Sequence, residues 1–378
     1  MEKINEVYKN IQRPERVLQF GEGNFLRAFV DWMLDILNEK SDFNGQAVLV
    51  QPIDRGNAGL INGQQGLYTT ILRGVQGGTV VEEPRVIHSV SRCINPYADY
   101  ASYIACAENP ELRFIVSNTT EAGIAYSADD KPTDTPQASY PGKVTAFLYH
   151  RYLHFKGEPS RGLVVICCEL IEHNGDKLRE IVYRLAEEWR LEIGFTAWLD
   201  SSCDFLSTLV DRIVTGYPRD EAEATCRKLG YEDTLLDTAE IFHLWVIEAK
   251  RKFYDRELPF EKAGLHVVWT KDMTPYRTRK VRVLNGGHTM TVLAAYLYGK
   301  DTVEECIKDP RINAYLRRGI YDEVIPAIPN GDVKELSAFA DDVMERFANP
   351  YIRHLLLSIS LNSVSKFKAR VLPSLLEY

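Results

Sequence analysis

The short strand-like run Val17-Leu18-Gln19-Phe20 leads without a spacer into Gly21-Glu22-Gly23-Asn24-Phe25-Leu26-Arg27-Ala28-Phe29-Val30, and few architectures accommodate that junction. Beyond the glycines, apolar residues recur at 25, 26, 29, 30, 33, 34 and 37, the spacing of one buried helix face. Strand, glycine turn and amphipathic helix together are the opening of a parallel βαβ unit. The first glycine suits the tight turn, and the second lets backbone N–H groups approach a pyrophosphate at the positive end of the helix. Leu26 stands where a third glycine would complete G-x-G-x-x-G, so the same residues also read as an ordinary strand-to-helix turn of an α/β protein. A second strand, Gln46–Val50, follows at the expected distance and ends at Gln51, with Asp54 three residues later. Asp54 is the candidate partner of an adenosine ribose. Arg55 beside it would suit a 2′-phosphate, so spacing does not separate NAD from NADP.

The following 200 residues keep the alternating pattern. Leu67–Arg73 and Thr79–Val81, split by Gln76-Gly77-Gly78, read as a hairpin. Leu112–Ser117 is a buried strand running into Asn118-Thr119, and ligands lie at the carboxyl ends of such strands. Asn118 and Thr119 therefore either border the cofactor or form a polar helix cap. Gly162–Cys168 repeats the pattern and brings Asn174 to a strand-to-helix junction, where its amide orients a substrate oxygen or caps the helix. Asp211-Arg212 follows another apolar run, as the lining of a cleft or as a solvated ion pair. From Thr274 onward the periodicity is helical, over 290–297, 303–307, 311–323, 333–347 and 353–366. The expected architecture is α/β, with a Rossmann-type N-terminal domain over residues 1–273 and a mostly α-helical C-terminal domain over 274–378.

Composition narrows the partners. At 378 residues the chain exceeds what one core usually holds. A net charge of −8 argues against a nucleic-acid surface. No apolar stretch has the length of a membrane span, and Met1–Asn5 opens no signal sequence. These features point to a cytoplasmic protein with a small-molecule partner, engaging neither nucleic acid nor membrane; they say nothing of its oligomeric state. The seven cysteines include no C-x-x-C pair and suit reduced, buried positions. His150 and His154 are four apart but enclose Arg151-Tyr152-Leu153, which lacks the glutamate of a zinc protease motif, so no metal is expected.

The most chemically loaded stretch lies early in the helical part, Arg279-Lys280-Val281-Arg282-Val283-Leu284-Asn285-Gly286-Gly287-His288-Thr289-Met290. On a regular helix Lys280, Asn285 and His288 fall within an arc of roughly 140° and could share a face. Each of the two glycines costs about 1 kcal/mol relative to alanine inside a helix. Either they bring a ligand against bare backbone, or they end one helix and begin another.

Taken with Val116–Gly123, Val210-Asp211-Arg212-Ile213, Tyr276–His288 and Ser365–Pro373, these motifs resemble the polyol-specific long-chain dehydrogenases, the mannitol dehydrogenase family, over essentially the whole chain. The resemblance implies NAD as cofactor, held along Leu18, Gln19, Phe20, Gly21, Glu22, Gly23, Asn24, Phe25 and Leu26 and by Asp54, Asn118 and Thr119, with no metal. It implies a catalytic group of Lys280, Asn285, His288 and Asn174, with Asp211 and Lys366 in the substrate cleft. The backbone of Gly286 and Gly287 is expected against substrate or nicotinamide. Two departures point away from mannitol: Arg277 stands where those enzymes carry a glutamate, and Ser358 where they carry a substrate-binding arginine. The likeness is nearer to members that reduce D-tagaturonate to D-altronate in hexuronate catabolism; fructuronate- or mannitol-type activity, and a non-catalytic NAD-binding protein, are the alternatives. A hexuronate brings a carboxylate, for which Arg277, Arg279 and Arg353 are the candidate partners. Members of the family usually continue beyond the position of Tyr378, so part of the helical domain is expected to be missing.

Overall fold

The run before the glycine turn forms β1 (Glu15–Phe20) at the centre of an eight-stranded sheet in the computed structural model, which describes residues Met1–Tyr378. The other strands are β2 (Gln46–Val50), β3 (Val90–Ile94), β4 (Phe114–Ser117), β5 (Val164–Cys167), β6 (Asp204–Asp211), β7 (Leu244–Glu248) and β8 (Val267–Thr270). Their order is β8-β7-β6-β5-β4-β1-β2-β3. β1 to β6 are parallel; β7 runs antiparallel to β6, and β8 parallel to β7. Helices cover both faces of such a sheet, which is why β2, β4 and β5 are buried at every position and read as unbroken apolar runs. The chain builds outward from β1 to β3, then returns to the far side of β1 with β4. That reversal is a topological switch point, and the crevice outside the carboxyl ends of β1 and β4 is where doubly wound sheets bind ligands.

The hairpin forms as Tyr68–Gln76 and Thr79–Ile87, turned by Gly77 and Gly78 at φ 57° and 75°. The glycine turn opens a helix over 24–40 that contains a π turn at Arg27–Asp31. A second helix runs unbroken over 274–297 through a π turn at Lys280–Asn285. Gly286 and Gly287 thus neither stop nor start a helix. The helix expected over 353–366 is instead two, Leu356–Ser360 and Ser363–Arg370, because Asn362 adopts a left-handed conformation at φ 60°.

Contacts divide the chain into two compact units. The first comprises Met1–Ile71, Pro84–Ala239 and His243–Lys271, and its core gathers Leu18, Phe20, Val48, Ile115, Phe147, Val165, Leu178 and Phe195. The second comprises Leu72–Glu83, Glu240–Phe242 and Asp272–Tyr378, around Val283, Val292, Leu316, Ile320, Phe339, Val343 and Phe347. Each large side chain so buried contributes about 1.5 to 3 kcal/mol. Two segments that precede residue 274 belong with the helices because specific polar bonds hold them there. The Arg346 guanidinium donates to both carboxylate oxygens of Glu240 at 2.9 and 2.8 Å, both side chains being almost fully buried. Asn349 Nδ2 donates to the Arg73 carbonyl at 3.1 Å.

Candidate active site

In the first unit, the two glycines of the turn do different work. Gly21 has φ +116°, which L side chains rarely adopt, and a Cβ there would lie 2.9 Å from the Asn118 carbonyl oxygen. Asn118 N donates to Phe20 O at 3.0 Å and holds β4 close against β1, while Gly21 N donates to Val50 O at 3.0 Å and ties the turn to β2. Gly23 has an ordinary φ of −72°, and a Cβ there would meet nothing within 4 Å. The first glycine is demanded by the fold; the second leaves open space at the positive end of a 17-residue helix, the position a pyrophosphate takes.

The walls of the crevice are set by buried side chains. Glu169, just past β5, accepts the Thr119 N–H and hydroxyl at 3.0 Å each through Oε1 and the Ser117 hydroxyl at 3.1 Å through Oε2. Burial raises its carboxyl above the usual range despite these bonds. Sequence reasoning missed Glu169; its one signal was an acid placed immediately after a wholly apolar strand. Across the crevice, Gln51 folds the loop after β2 by donating to the Ile53 and Asp54 carbonyls at 2.8 Å each, and Glu22 accepts the Asn57 N–H at 3.3 Å. Asp54 is left exposed at the carboxyl end of β2. Open space at Gly23, the helix terminus and the partly exposed Asn118 and Thr119 fit a dinucleotide.

Several expected roles change. Leu18, Gln19, Phe20 and Leu26 are buried, so their side chains support the turn from behind, whereas Gly23 and Asn24 are exposed and Phe25 is partly so. Asn174 is fully buried with its amide engaged by backbone. Its Nδ2 donates to the carbonyls of Cys167, Glu169 and Thr208 at 2.9, 2.8 and 3.3 Å, and its Oδ1 accepts from Gly175 and Thr208 N–H at 2.9 Å each. It clamps β5, β6 and the helix Asn174–Glu188 together and has no donor left for a substrate oxygen. Asp211 ends β6, opposite Leu244 of β7, and is buried. Arg212 is not a solvated group: it lies buried over the Trp32 ring at 4.3 Å and donates to the Ala28 carbonyl at 2.8 Å.

In the second unit, the π turn re-aims the reactive stretch. A regular helix advances 100° per residue, whereas a π turn, closing one residue later, advances about 80°. Over Lys280–Asn285 this difference shrinks the arc holding Lys280, Asn285 and His288 from about 140° to about 60°. Three side chains of different chemistry thus share one face. The Asn285 carbonyl accepts the Thr289 hydroxyl at 2.9 Å, while its partly exposed side-chain amide takes no protein partner. His288 packs on Phe347, ring centroids 4.2 Å apart, and meets His354 edge-on at 5.0 Å. Burial, reinforced by the neighbouring His354 and by the positive charge of Arg346, Arg370 and Lys366, holds the His288 imidazole well below its usual pKa and keeps it neutral at pH 7. Lys366 Nζ donates to the Ile359 carbonyl at 2.7 Å, and Arg370 Nη1 to the Thr289 hydroxyl at 3.3 Å. Arg370 joins the candidates here; among the arginines first considered, Arg279 is held over the rings of Tyr276 and Phe339 at 4.9 and 4.8 Å, and Arg353 is exposed.

The glycines of this stretch serve packing, contrary to the ligand-facing role expected of them. Both are buried; a Cβ at Gly286 would lie 3.1 Å from the Arg370 carbonyl oxygen, and one at Gly287 would lie 3.3 Å from Ile320 and 3.6 Å from both Leu316 and Phe347. They let neighbouring helices close on the one that carries Lys280. All seven cysteines are buried and unpaired, no group of three metal-binding side chains gathers, and no helix is long and apolar enough to cross a membrane.

Known families divide the chain near residue 270 and leave Leu72–Glu83 and Glu240–Phe242 within the first part. Residues 15–262 match the mannitol dehydrogenase Rossmann domain and residues 272–378 the mannitol dehydrogenase C-terminal domain. The chain is 49% identical over 380 residues to an altronate oxidoreductase of Bacillus subtilis (strain 168), covering 100% of this chain and 78% of the relative. It is 51% identical over 364 residues to an altronate oxidoreductase of Cronobacter sakazakii, covering 96% and 75%. Its fold superposes on a crystal structure of D-sorbitol dehydrogenase in substrate-free form with a TM-score of 0.83 at 25% identity, over 99% of this chain and 80% of that one. The Pseudomonas fluorescens mannitol 2-dehydrogenase ternary complex with NAD and D-mannitol superposes with a TM-score of 0.71 at 23% identity, over 97% and 75%.

Proposed function

The chain belongs to the mannitol dehydrogenase family, and from that premise we propose that it is an NAD-dependent oxidoreductase interconverting D-tagaturonate and D-altronate in hexuronate catabolism. Residues 1–273, apart from Leu72–Glu83 and Glu240–Phe242, serve as the nucleotide domain and 274–378 as the substrate and catalytic domain of a cytoplasmic enzyme. What carries the proposal is the π turn that gathers Lys280, Asn285 and His288 on one face, in a chain about half identical to altronate oxidoreductases.

Gly21, Gly23, Asn24, Asn118, Thr119 and Asp54 would hold the dinucleotide, which when bound supplies or accepts the hydride. Lys280 moves the proton: in reduction it donates to the oxygen of the carbonyl becoming an alcohol, and in oxidation it takes that proton back. Asn285 directs its free amide N–H at the same oxygen while negative charge develops there, a contribution of about 2.7 to 4 kcal/mol by analogy with an oxyanion-hole donor. His288, neutral, aligns a substrate hydroxyl without competing for the proton. Lys366 and Arg370 add the positive potential that a sugar-acid carboxylate requires and a neutral polyol does not. Asp211 orients substrate hydroxyls, and Asn174 acts only by fixing the strand ends.

An NADH-oxidation panel across tagaturonate, fructuronate and fructose tests the assignment. The expected result is the highest kcat/KM with tagaturonate. A preference for fructuronate or fructose would replace the substrate within the same chemistry, and tight NADH binding without turnover of any of the three would make this a non-catalytic NAD-binding protein.

A further inference from the structure

Directly behind the glycine turn lies a buried group of charges that hydride transfer does not use. The π turn Arg27–Asp31 directs both of its charged ends inward, Arg27 being 2% exposed and Asp31 0%. Asp31 Oδ2 accepts the Tyr68 hydroxyl at 3.0 Å and Gln19 Nε2 at 3.3 Å. The same Gln19 nitrogen donates to the Gly21 carbonyl at 3.2 Å, so a single amide joins the carboxylate to the turn. Arg27 donates to the Leu235 carbonyl at 2.7 Å and to Asn24 Oδ1 at 2.6 Å, and its guanidinium lies 5.0 Å over the Tyr68 ring. Its nearest approach to Asp237 is 3.8 Å. Asp237 is 0% exposed, and no side chain donates a hydrogen bond to either of its oxygens. Asp31 Oδ1 and Gln19 Oε1 are likewise buried without a partner. A structural ion pair would be expected to satisfy its carboxylates, because each buried acceptor left unpaired costs about 1 to 3 kcal/mol.

We infer that Asp31 and Asp237 act as a proton store coupled through Gln19 to the glycine turn, so that a dinucleotide binding at the turn draws a proton onto the pair. The inference rests on the dinucleotide reading of the crevice. A pyrophosphate brings two negative charges to a turn whose rear is joined to Asp31 by two hydrogen bonds in a dry interior, where like charges repel strongly. Burial already pushes each of the two carboxyls up to about 7, and the charge of Asp31 raises the cost of ionising Asp237, so a further anion tips the pair toward its protonated form near neutral pH. The groups facing the pair are the cations Arg27 and Arg212, the Tyr68 hydroxyl and the buried Cys93 thiol, and on the turn itself stands Glu22, whose carboxyl burial also raises. Linkage gives the sign: if binding takes up protons, NADH affinity falls as pH rises through the carboxyl range, by up to about tenfold per pH unit for one whole proton.

Calorimetry of NADH binding at pH 7 in phosphate and in Tris, whose ionisation heats differ, reads the protons directly. The full chain is expected to take up a fraction of a proton to one proton per NADH, and Asp31→Asn or Asp237→Asn to lower that number while still binding. Heats identical in the two buffers would overturn the inference and leave the dinucleotide reading standing. Uptake that survives both substitutions would belong to another buried carboxyl of the crevice, Glu22 or Glu169, and would equally overturn it. Absence of NADH binding would remove the dinucleotide reading and this inference together. The wild-type measurement decides even where a variant folds poorly.

Discussion

Substituting alanine at Gly21 and at Gly23 should damage the protein in opposite ways. At Gly21 the new Cβ meets two obstacles: a backbone at φ +116° and the Asn118 carbonyl oxygen at 2.9 Å. The first costs about 1 to 3 kcal/mol. Asn118 cannot retreat, because its N–H is bonded to Phe20 O at 3.0 Å and its side chain to Cys168 O at 2.8 Å, so overpacking adds about another 1 to 3 kcal/mol. At about 2 to 4 °C per kcal/mol for a domain of this size, Tm without ligand should fall by roughly 5 to 20 °C. Gly23→Ala finds a permitted φ of −72° and no atom within 4 Å; the poorer helix cap costs under about 1 kcal/mol and moves Tm by only a few degrees. Its methyl instead enters the open space where the proposed function puts the pyrophosphate. Losing one or two charge-assisted backbone hydrogen bonds, about 1.5 to 3 kcal/mol, should raise the NADH dissociation constant about 10- to 100-fold. Thermal unfolding and NADH fluorescence titration read the two effects separately. Wild-type affinity in Gly23→Ala would refute the placement of the cofactor, and wild-type Tm in Gly21→Ala would refute the strain argument.

Other outcomes follow from the second unit. Arg346→Met strands the Glu240 carboxylate in the interior, and should cost about 3 to 5 kcal/mol in urea unfolding; Glu240→Leu added to it should restore most of the loss. Gly287→Val pushes a branched side chain against Ile320, Leu316 and Phe347 and should destabilise by about 1 to 3 kcal/mol, whereas a ligand-facing glycine would lose affinity with its stability intact. Since the folded pKa of His288 lies below the unfolded value near 6.5, its contribution to stability is complete above about pH 6.5 and fades as pH falls toward the folded pKa. Nitrogen NMR should find His288 neutral at pH 6, and a midpoint near 6.5 would contradict the account.

The nucleotide half was readable because its signals are local. A strand running into Gly21-Glu22-Gly23 and a second strand at Gln46–Val50 leave few topologies, and both fall where expected, beside the switch point at Asn118. What escaped depends on contacts distant in sequence. Asn174 sits at a strand end as expected, yet whether its amide faces substrate or backbone is decided by Thr208, 34 residues on. Glu169 is fixed by Thr119, 50 residues before it. The assignment of Leu72–Glu83 and Glu240–Phe242 to the helical unit turns on Arg346 and Asn349. Two glycines in sequence read as a ligand approach or as a helix end, because the neighbours they in fact admit, Ile320 and Arg370, lie far along the chain. The π turn at Lys280–Asn285 has no residue signature of its own, so the spacing of Lys280, Asn285 and His288 was legible while their alignment was not.

The central claim is that Lys280 moves the proton in a tagaturonate–altronate interconversion. Turnover of tagaturonate by Lys280→Ala, with NADH binding and Tm measured on the same preparation, tests it most directly. The account predicts a fall in kcat of about 100- to 10,000-fold with NADH affinity and Tm close to wild type. Turnover within a few-fold of wild type would contradict it.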